Sequence, residues 1–155
     1  MSVYVIAEAG VNHNGSEELA FQLVDIAVNS GADAVKFQTF RANKIVNKHA
    51  SKANYQLAST DINESQYEML KRLELGYDSH RKLKDYCDSK GIDFLSTAFD
   101  EDSLNFLHKE LKLKTLKIPS GEITNAPLVL SHALTKSNLI VSTGMATIQD
   151  IKNVL

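Results

Sequence analysis

Five times along the chain a short apolar run rich in β-branched residues ends on polar side chains and gives way to a helical pattern. The runs cover residues 3–8, 33–39, 92–97, 113–118 and 139–142. Strands that alternate with helices build a parallel sheet with right-handed crossovers, so the fold class is α/β. Near-continuous apolar runs suit strands covered on both faces. Helix signals fall where this scheme needs them. Ser16 can cap a helix whose first turn holds Glu17 and Glu18 and whose apolar face is Leu19, Leu23, Ile26 and Ala27, and Gly31 ends it. Further helices are predicted over about 64–73, 78–90, 100–109 and 127–136, and a last one from the capping residue Thr147 onward.

Polar residues gather at the carboxyl end of each strand: Glu8, then Lys36 and Gln38, Thr97, Lys117 with Ser120 and Glu122, and Ser142. Barrels and open parallel sheets both place their ligands on that rim. Residues 117–125 are the richest stretch. Lys117 can aim a cation at an anion, Ser120 and the amides around Gly121 can donate to phosphate or carboxylate oxygens, and Glu122 can accept a proton or a sugar hydroxyl. A Pro/Gly turn with a solvated ion pair is the plainer alternative for that stretch alone. Convergence of five strand ends favours a ligand site. Residues 40–64 are polar and aperiodic, which suits either a lid or an ordered surface excursion.

With 155 residues, 43% of them hydrophobic, the chain can bury the core of one domain. Its formal charge of −2, from 17 basic and 19 acidic residues, gives no global field for nucleic acid or an anionic membrane. Any anion site must be local. Lys109, Lys112 and Lys114 flank a strand start and read as solvated, whereas Lys117 sits at the far end. The single cysteine, Cys87, cannot form an internal disulfide and suits the buried face of a helix. No apolar run reaches the roughly 18 residues of a membrane span and no signal-like segment opens the chain, so a cytoplasmic protein is the default. His13, His49, His80, His108 and His132 show no paired ligand spacing, and no metal ligand is assigned here. Gly10 and Gly15 have the spacing of a nucleotide loop but lack the Lys-Ser/Thr that should follow.

Five ordered motifs carry a resemblance: Ile6 to Gly15, Val35-Lys36-Phe-Gln38-Thr39, Phe94-Leu-Ser-Thr97-Ala-Phe99, Lys117-Ile-Pro-Ser120-Gly-Glu122-Ile-Thr-Asn125 and Val141-Ser142-Thr-Gly144-Met145. In order and spacing they resemble the sialic acid synthase (NeuB) family, over essentially the whole chain. The family's fold is a (β/α)8 TIM barrel, of which 155 residues would supply only the first five βα units, since eight need about 250. The resemblance implies one domain over residues 1–155, a NeuB-type barrel portion without its last strands or the family's antifreeze-like domain. It implies an enzyme that condenses phosphoenolpyruvate with an N-acylated mannosamine-type sugar, releasing phosphate and forming a nonulosonic acid. Lys36, Thr97, Lys117, Ser120 and Ser142 would hold phosphoenolpyruvate. Glu8, Gln38, Asn54 and Glu122 would face the sugar, and Glu122 and Glu8 would carry acid/base work.

Residues 52–57, with Glu64-Ser-Gln66 and Leu73-Glu-Leu75, are more similar to the branch acting on 2,4-diacetamido-2,4,6-trideoxy-mannose, the legionaminic acid synthases, with N-acetylmannosamine and pseudaminic-type precursors as close competitors. A divalent metal, Mn or Mg, is implied for the full-length enzyme, with ligand histidines on strands beyond residue 155, and so is a homodimer. The chain alone is expected to be inactive, with open sheet edges that favour aggregation. Two other readings remain open at this point. One is another barrel lyase, of the aldolase type, that uses phosphoenolpyruvate or phosphate. The other is a non-catalytic half-barrel that binds an anion or another chain.

Overall fold

The computed structural model describes residues 3–48, 50 and 64–155. Strands β1 (Ile6–Gly10), β2 (Ala34–Thr39), β3 (Asp93–Ala98), β4 (Thr115–Ile118) and β5 (Asn138–Val141) form one sheet in chain order, and every neighbouring pair is parallel. The helices are α1 (Glu17–Asn29), α2 (Ala42–Ile45), α3 (Gln66–Leu73), α4 (Tyr77–Lys90), α5 (Glu101–Asn105), α6 (Ala126–Leu134) and α7 (Ile148–Val154). The α/β alternation of five units is thus present. The sheet is open, with β1 and β5 as its edges.

The two-residue period of a strand sorts the side chains. Val35, Phe37 and Thr39 of β2, Phe94, Ser96 and Ala98 of β3, and Leu116 and Ile118 of β4 lie buried beneath the helices. Phe37 stacks on Phe94 with centroids 5.7 Å apart, and His80 of α4 meets Phe94 edge-on at 6.4 Å. The Thr39 and Ser96 hydroxyls, both buried, satisfy each other at 2.7 Å. Helices α1 and α4 pack through Phe21 and Tyr86, whose rings meet edge-on at 4.9 Å, and the Tyr86 hydroxyl donates to Asp25 at 2.8 Å. With one face so filled, the alternate residues Lys36, Gln38, Thr97 and Lys117 are turned to the other.

Caps hold the helix starts. Ser16 accepts from the Leu19 amide, Ser65 and Glu68 form a capping box, and Thr147 and Asp150 form another. Several ends differ from the sequence-based expectation for local reasons. Strand β1 begins at Ile6 rather than Val3, because the Val5 amide is taken by the Asp33 carboxylate at 2.6 Å instead of by a neighbouring strand. The helix predicted to run to Lys109 stops at Asn105 and continues as a π-helical turn, Phe106–Glu110. Helix α6 ends at Leu134, where the Thr135 hydroxyl donates to the His132 carbonyl at 2.7 Å and Lys136 turns the chain at φ +57°.

The excursion after β2 is fastened at both described ends. The Glu74 carboxylate, only 7% exposed, accepts from Arg41 Nη1 and the Ala42 amide at 3.0 Å each and from Lys71 Nζ at 3.1 Å. The Arg41 guanidinium lies 3.9 Å from the centroid of Tyr77, which stacks on Phe106 at 4.1 Å. Asp100, buried at the head of α5, accepts from the Arg41 amide at 2.9 Å and the Ser103 amide at 2.8 Å. Of the segment 40–64, read as a lid or a surface excursion, residues 49 and 51–63 with Asn54 lie outside the described residues.

Candidate functional site

Because strand neighbours are in parallel register, Glu8 lies opposite Lys36, Gln38 opposite Thr97, and Thr97 opposite Lys117. Four adjacent strands therefore deliver their polar residues to one place. Lys36 forms an ion pair with Glu8, and its ammonium stands 3.5 Å from the Thr97 hydroxyl. The Lys36 side chain is 12% exposed, whereas Glu8 is 54% exposed and its carboxylate remains reachable from solvent. Lys117 donates to the Ile118 carbonyl at 3.0 Å.

Burial pushes the Lys117 ammonium below the ordinary lysine range, the Lys36 cation pushes in the same direction, and Glu8 opposes both. Two cations thus lie within electrostatic reach of each other, and among the described residues Glu8, paired with Lys36, is the one carboxylate near them. An anion carrying two or more charges would relieve that repulsion.

Gly10 explains how Glu8 and Gln38 come together. The register between β1 and β2 slips between Glu8 and Gly10, and Gly10 adopts φ +56°. A methyl group there would stand 3.2 Å from Glu8 Oε1 and 3.5 Å from Gln38 Nε2, so both side chains fold over the bare backbone. From the sequence, Gly10 stood out only for its spacing to Gly15 and its place in the first motif. Its place two residues after the strand-end carboxylate Glu8 was the available signal.

Glu122 closes a 3₁₀ turn, Ser120–Glu122, that follows β4, and its carboxylate accepts from Asn125 Nδ2 at 2.8 Å. Asn125 in turn caps α6. Ser142 follows β5, where its amide donates to the Ile118 carbonyl at 3.1 Å. The structure joins Glu8, Lys36, Thr97 and Gln38 by direct contact or shared backbone, with Lys117 in their electrostatic reach. Ser120, Glu122 and Ser142 stand at neighbouring strand ends without a side-chain bond to that group among the described residues.

His13, in the loop after β1, is fully buried and lies on the helix side, with its ring 6.2 Å from Phe37. Its Nδ1 accepts from the Gly15 amide at 3.0 Å, which places the proton on Nε2. Burial, reinforced by His80, lowers its pKa to about 4, so the ring is neutral near pH 7. Its role is structural, holding the loop after β1. Gly15 itself, at φ +80°, lies so close to α3 that an added methyl would sit 2.3 Å from the Arg72 carbonyl oxygen.

Among the described residues no three His, Cys, Asp or Glu side chains come together as a set able to hold a metal ion. The residues present do not fit a divalent-metal cage. No described helix is long and apolar enough to cross a membrane. A separate concavity of about 550 Å³, lined by Tyr4, Asp93, Leu95, Thr115 and Ile140 among others, lies toward the amino ends of the strands, away from the polar rim.

Residues 23–155 match the family model described as NeuB family. The chain belongs to the NeuB family. It is 53% identical over 152 residues to the N,N'-diacetyllegionaminic acid synthase of Legionella pneumophila, a match covering 98% of this chain and 42% of that protein. Identity to the N,N'-diacetyllegionaminic acid synthase of Campylobacter jejuni is 48% over 151 residues, covering 97% of this chain and 45% of the relative. The chain thus spans under half the length of these relatives. Among solved structures, the N-acetylneuraminic acid (sialic acid) synthetase from Leptospira borgpetersenii, in complex with citrate, superposes with a TM-score of 0.82 at 31% identity, over 99% of this chain and 49% of that one. The five parallel strands therefore match a NeuB-type TIM barrel over about half its length. Glu8, Lys36, Gln38, Thr97 and Lys117, singled out from the NeuB motifs, are the side chains that the parallel register assembles.

Proposed function

We propose that this chain is the amino-terminal portion of a synthase that condenses phosphoenolpyruvate with an N-acylated mannosamine-type sugar. The observation that carries the reading is the convergence of Lys36 and Lys117 on Thr97, which lies 3.5 Å from the Lys36 ammonium and opposite Lys117 in the strand register, in a chain of net charge −2. Phosphoenolpyruvate is a compact polyanion, and the two ammonium groups with the Thr97, Ser120 and Ser142 hydroxyls would neutralise and orient its phosphate and carboxylate. Glu8 and Gln38, folded over Gly10, would receive sugar hydroxyls, and Glu122 would handle the proton that moves as the sugar ring opens.

In the reaction, C3 of phosphoenolpyruvate bonds to the aldehyde carbon of the open sugar and the aldehyde oxygen takes a proton. Water adds at C2, and cleavage of the bond between C2 and the bridging oxygen releases phosphate and leaves the 2-keto acid. The divalent metal of the family, Mn or Mg, would draw its ligands from outside these residues, and the full-length form would be a homodimer. The identities to two legionaminic acid synthases favour 2,4-diacetamido-2,4,6-trideoxy-mannose over N-acetylmannosamine as the sugar. Phosphate release from phosphoenolpyruvate, followed with each sugar on this chain and on a longer form carrying the remaining barrel strands, tests the reading. Turnover only in the longer form, faster with the diacetamido sugar, is expected. A folded longer form that releases no phosphate with either sugar would overturn it.

One observation favours a second reading. A lysine whose ammonium is depressed by burial and by a neighbouring cation suits imine formation with a carbonyl substrate, as in an aldolase. Borohydride trapping separates the two, since only an imine at Lys117 leaves a stable adduct.

A further inference from the structure

The geometry points to a second anion site, at the amino end of the sheet and independent of the strand-end reading, that takes the phosphate group of a small phosphorylated molecule. A concavity of about 360 Å³ there is lined by His108, Lys112, Lys114, Lys136, Ser137 and Asn138. That volume lies within the range of small-molecule sites, about 300–1,000 Å³. Lys109 borders the adjoining hollow, which shares His108.

These lysines differ from most others among the described residues. Elsewhere Lys44 pairs with Asp102, Lys82 with Glu17, Lys84 with Asp88 and Lys90 with Asp25. Lys109, Lys112, Lys114 and Lys136 have no carboxylate partner among the described residues. Of the acids around them, Glu110 is paired with Arg81 and Asp88 with Lys84, while Asp93 and Glu101 accept from the Tyr4 and Ser131 hydroxyls and keep their charge, leaving four lysines against two carboxylates. A local excess of positive charge results, in a chain that is acidic as a whole.

The backbone supplies a second, independent observation. The turns leading into β2 and β3 use Gly31 at φ +73° and Gly91 at φ +72°, where glycine costs nothing. The turns leading into β4 and β5 need the same left-handed conformation but place Lys112 at φ +53° and Lys136 at φ +57°. L-residues resist that region, and long side chains gain nothing from it locally. Both strained lysines line the same concavity. Ser137 Oγ and His108 Nδ1, 3.5 Å apart, and the Asn138 side chain add neutral groups able to bond phosphate oxygens. Lys114 and Lys117 bracket β4, and three residues of strand place this site about 10 Å from the strand-end cations.

Inorganic pyrophosphate is the probe, titrated into the full chain while backbone amide NMR shifts are followed. Saturable shifts are expected at residues 111–115 and 135–138, distinct from those near Lys36 and Lys117. The double substitution Lys112→Gly, Lys136→Gly removes two cations and relieves the left-handed strain, so it should fold with an unchanged or raised Tm. In it, affinity read from the 111–115 and 135–138 amides should fall at least tenfold, while affinity read at the strand-end amides is unchanged. Lys114→Gln, which leaves both turns intact, should weaken the first set severalfold. Absence of saturable shifts at those amides in the parent chain, or the same affinity in both variants, would overturn the proposal.

Discussion

Replacing Gly15 by alanine should be far more damaging than replacing Gly31, although both glycines occupy the left-handed region. At Gly31 the φ is +73° and an added methyl meets nothing within 4 Å, so the cost is the backbone term alone, roughly 1–2 kcal/mol. At Gly15 the φ is +80° and the methyl would come within 2.3 Å of the Arg72 carbonyl oxygen. That oxygen belongs to backbone at the end of α3 and cannot rotate away. Either α3 shifts or the loop after β1 does, a displacement comparable with overpacking a core, which typically adds about 1–3 kcal/mol. The total for Gly15→Ala is then roughly 2–5 kcal/mol. In a chain of this size each kcal/mol lowers Tm by about 2–4 °C. Thermal unfolding of the two variants beside the parent chain is the assay. Gly15→Ala should lower Tm by roughly 4–20 °C, about twice or more the drop for Gly31→Ala. Equal drops would refute the claim that the loop after β1 is held against α3 at this point.

The depressed Lys117 ammonium gives phosphoenolpyruvate binding a pH dependence. Its charged form is penalised in the fold below its depressed pKa, and the penalty disappears as pH rises toward the unfolded value of about 10.4. A bound polyanion favours the cation, so affinity should decline as pH rises through that depressed pKa, and calorimetry in buffers of different ionisation enthalpy should register proton uptake. The Glu74 carboxylate works in the opposite sense. Burial would raise its pKa, but the Ala42 amide, Arg41 and Lys71 outweigh burial and lower it, so its stabilisation is present above about pH 4.3 and lost as pH falls through its folded value. Glu74→Gln should therefore lower Tm at pH 7 and flatten the acid limb of the stability profile, measured by thermal melts between pH 3 and 7. Cys87 is fully buried and burial pushes its thiol up to about 12, so a thiol reagent should modify it only as fast as the chain opens, and a stoichiometric burst in the folded protein would contradict its place in the core.

The sheet and its polar rim were legible in the sequence because each short apolar run ends on polar residues and gives way to a helical pattern. Lys36 and Gln38 alternate with Val35, Phe37 and Thr39, and the buried set is the one facing the helices. Capping residues gave the helix starts for the same local reason, as at Ser16 and Thr147. What the sequence withheld depends on residues distant along the chain. The bond from Arg41 to Glu74 spans 33 positions and crosses the excursion, and the stacking of Tyr77 on Phe106 joins two helices. Neither leaves a periodic trace. The same holds for Lys112 and Lys136, whose left-handed backbone is set by how two turns meet the sheet rather than by residue type. Glu122 was readable as a strand-end carboxylate, but its bond to Asn125 rather than to the lysine group required coordinates.

A double-mutant cycle on Lys36 and Lys117, read as phosphoenolpyruvate affinity by calorimetry, tests the central claim most directly. Each ammonium should supply a charge-assisted contact of about 1.5–3 kcal/mol, so Lys36→Met and Lys117→Met should each weaken binding by roughly 10-fold or more. Because the two cations repel each other in the free site and share one anion, the double variant should depart from additivity. Unchanged phosphoenolpyruvate affinity in both single variants, with the fold intact, would contradict the assignment of this strand-end group as the anion site.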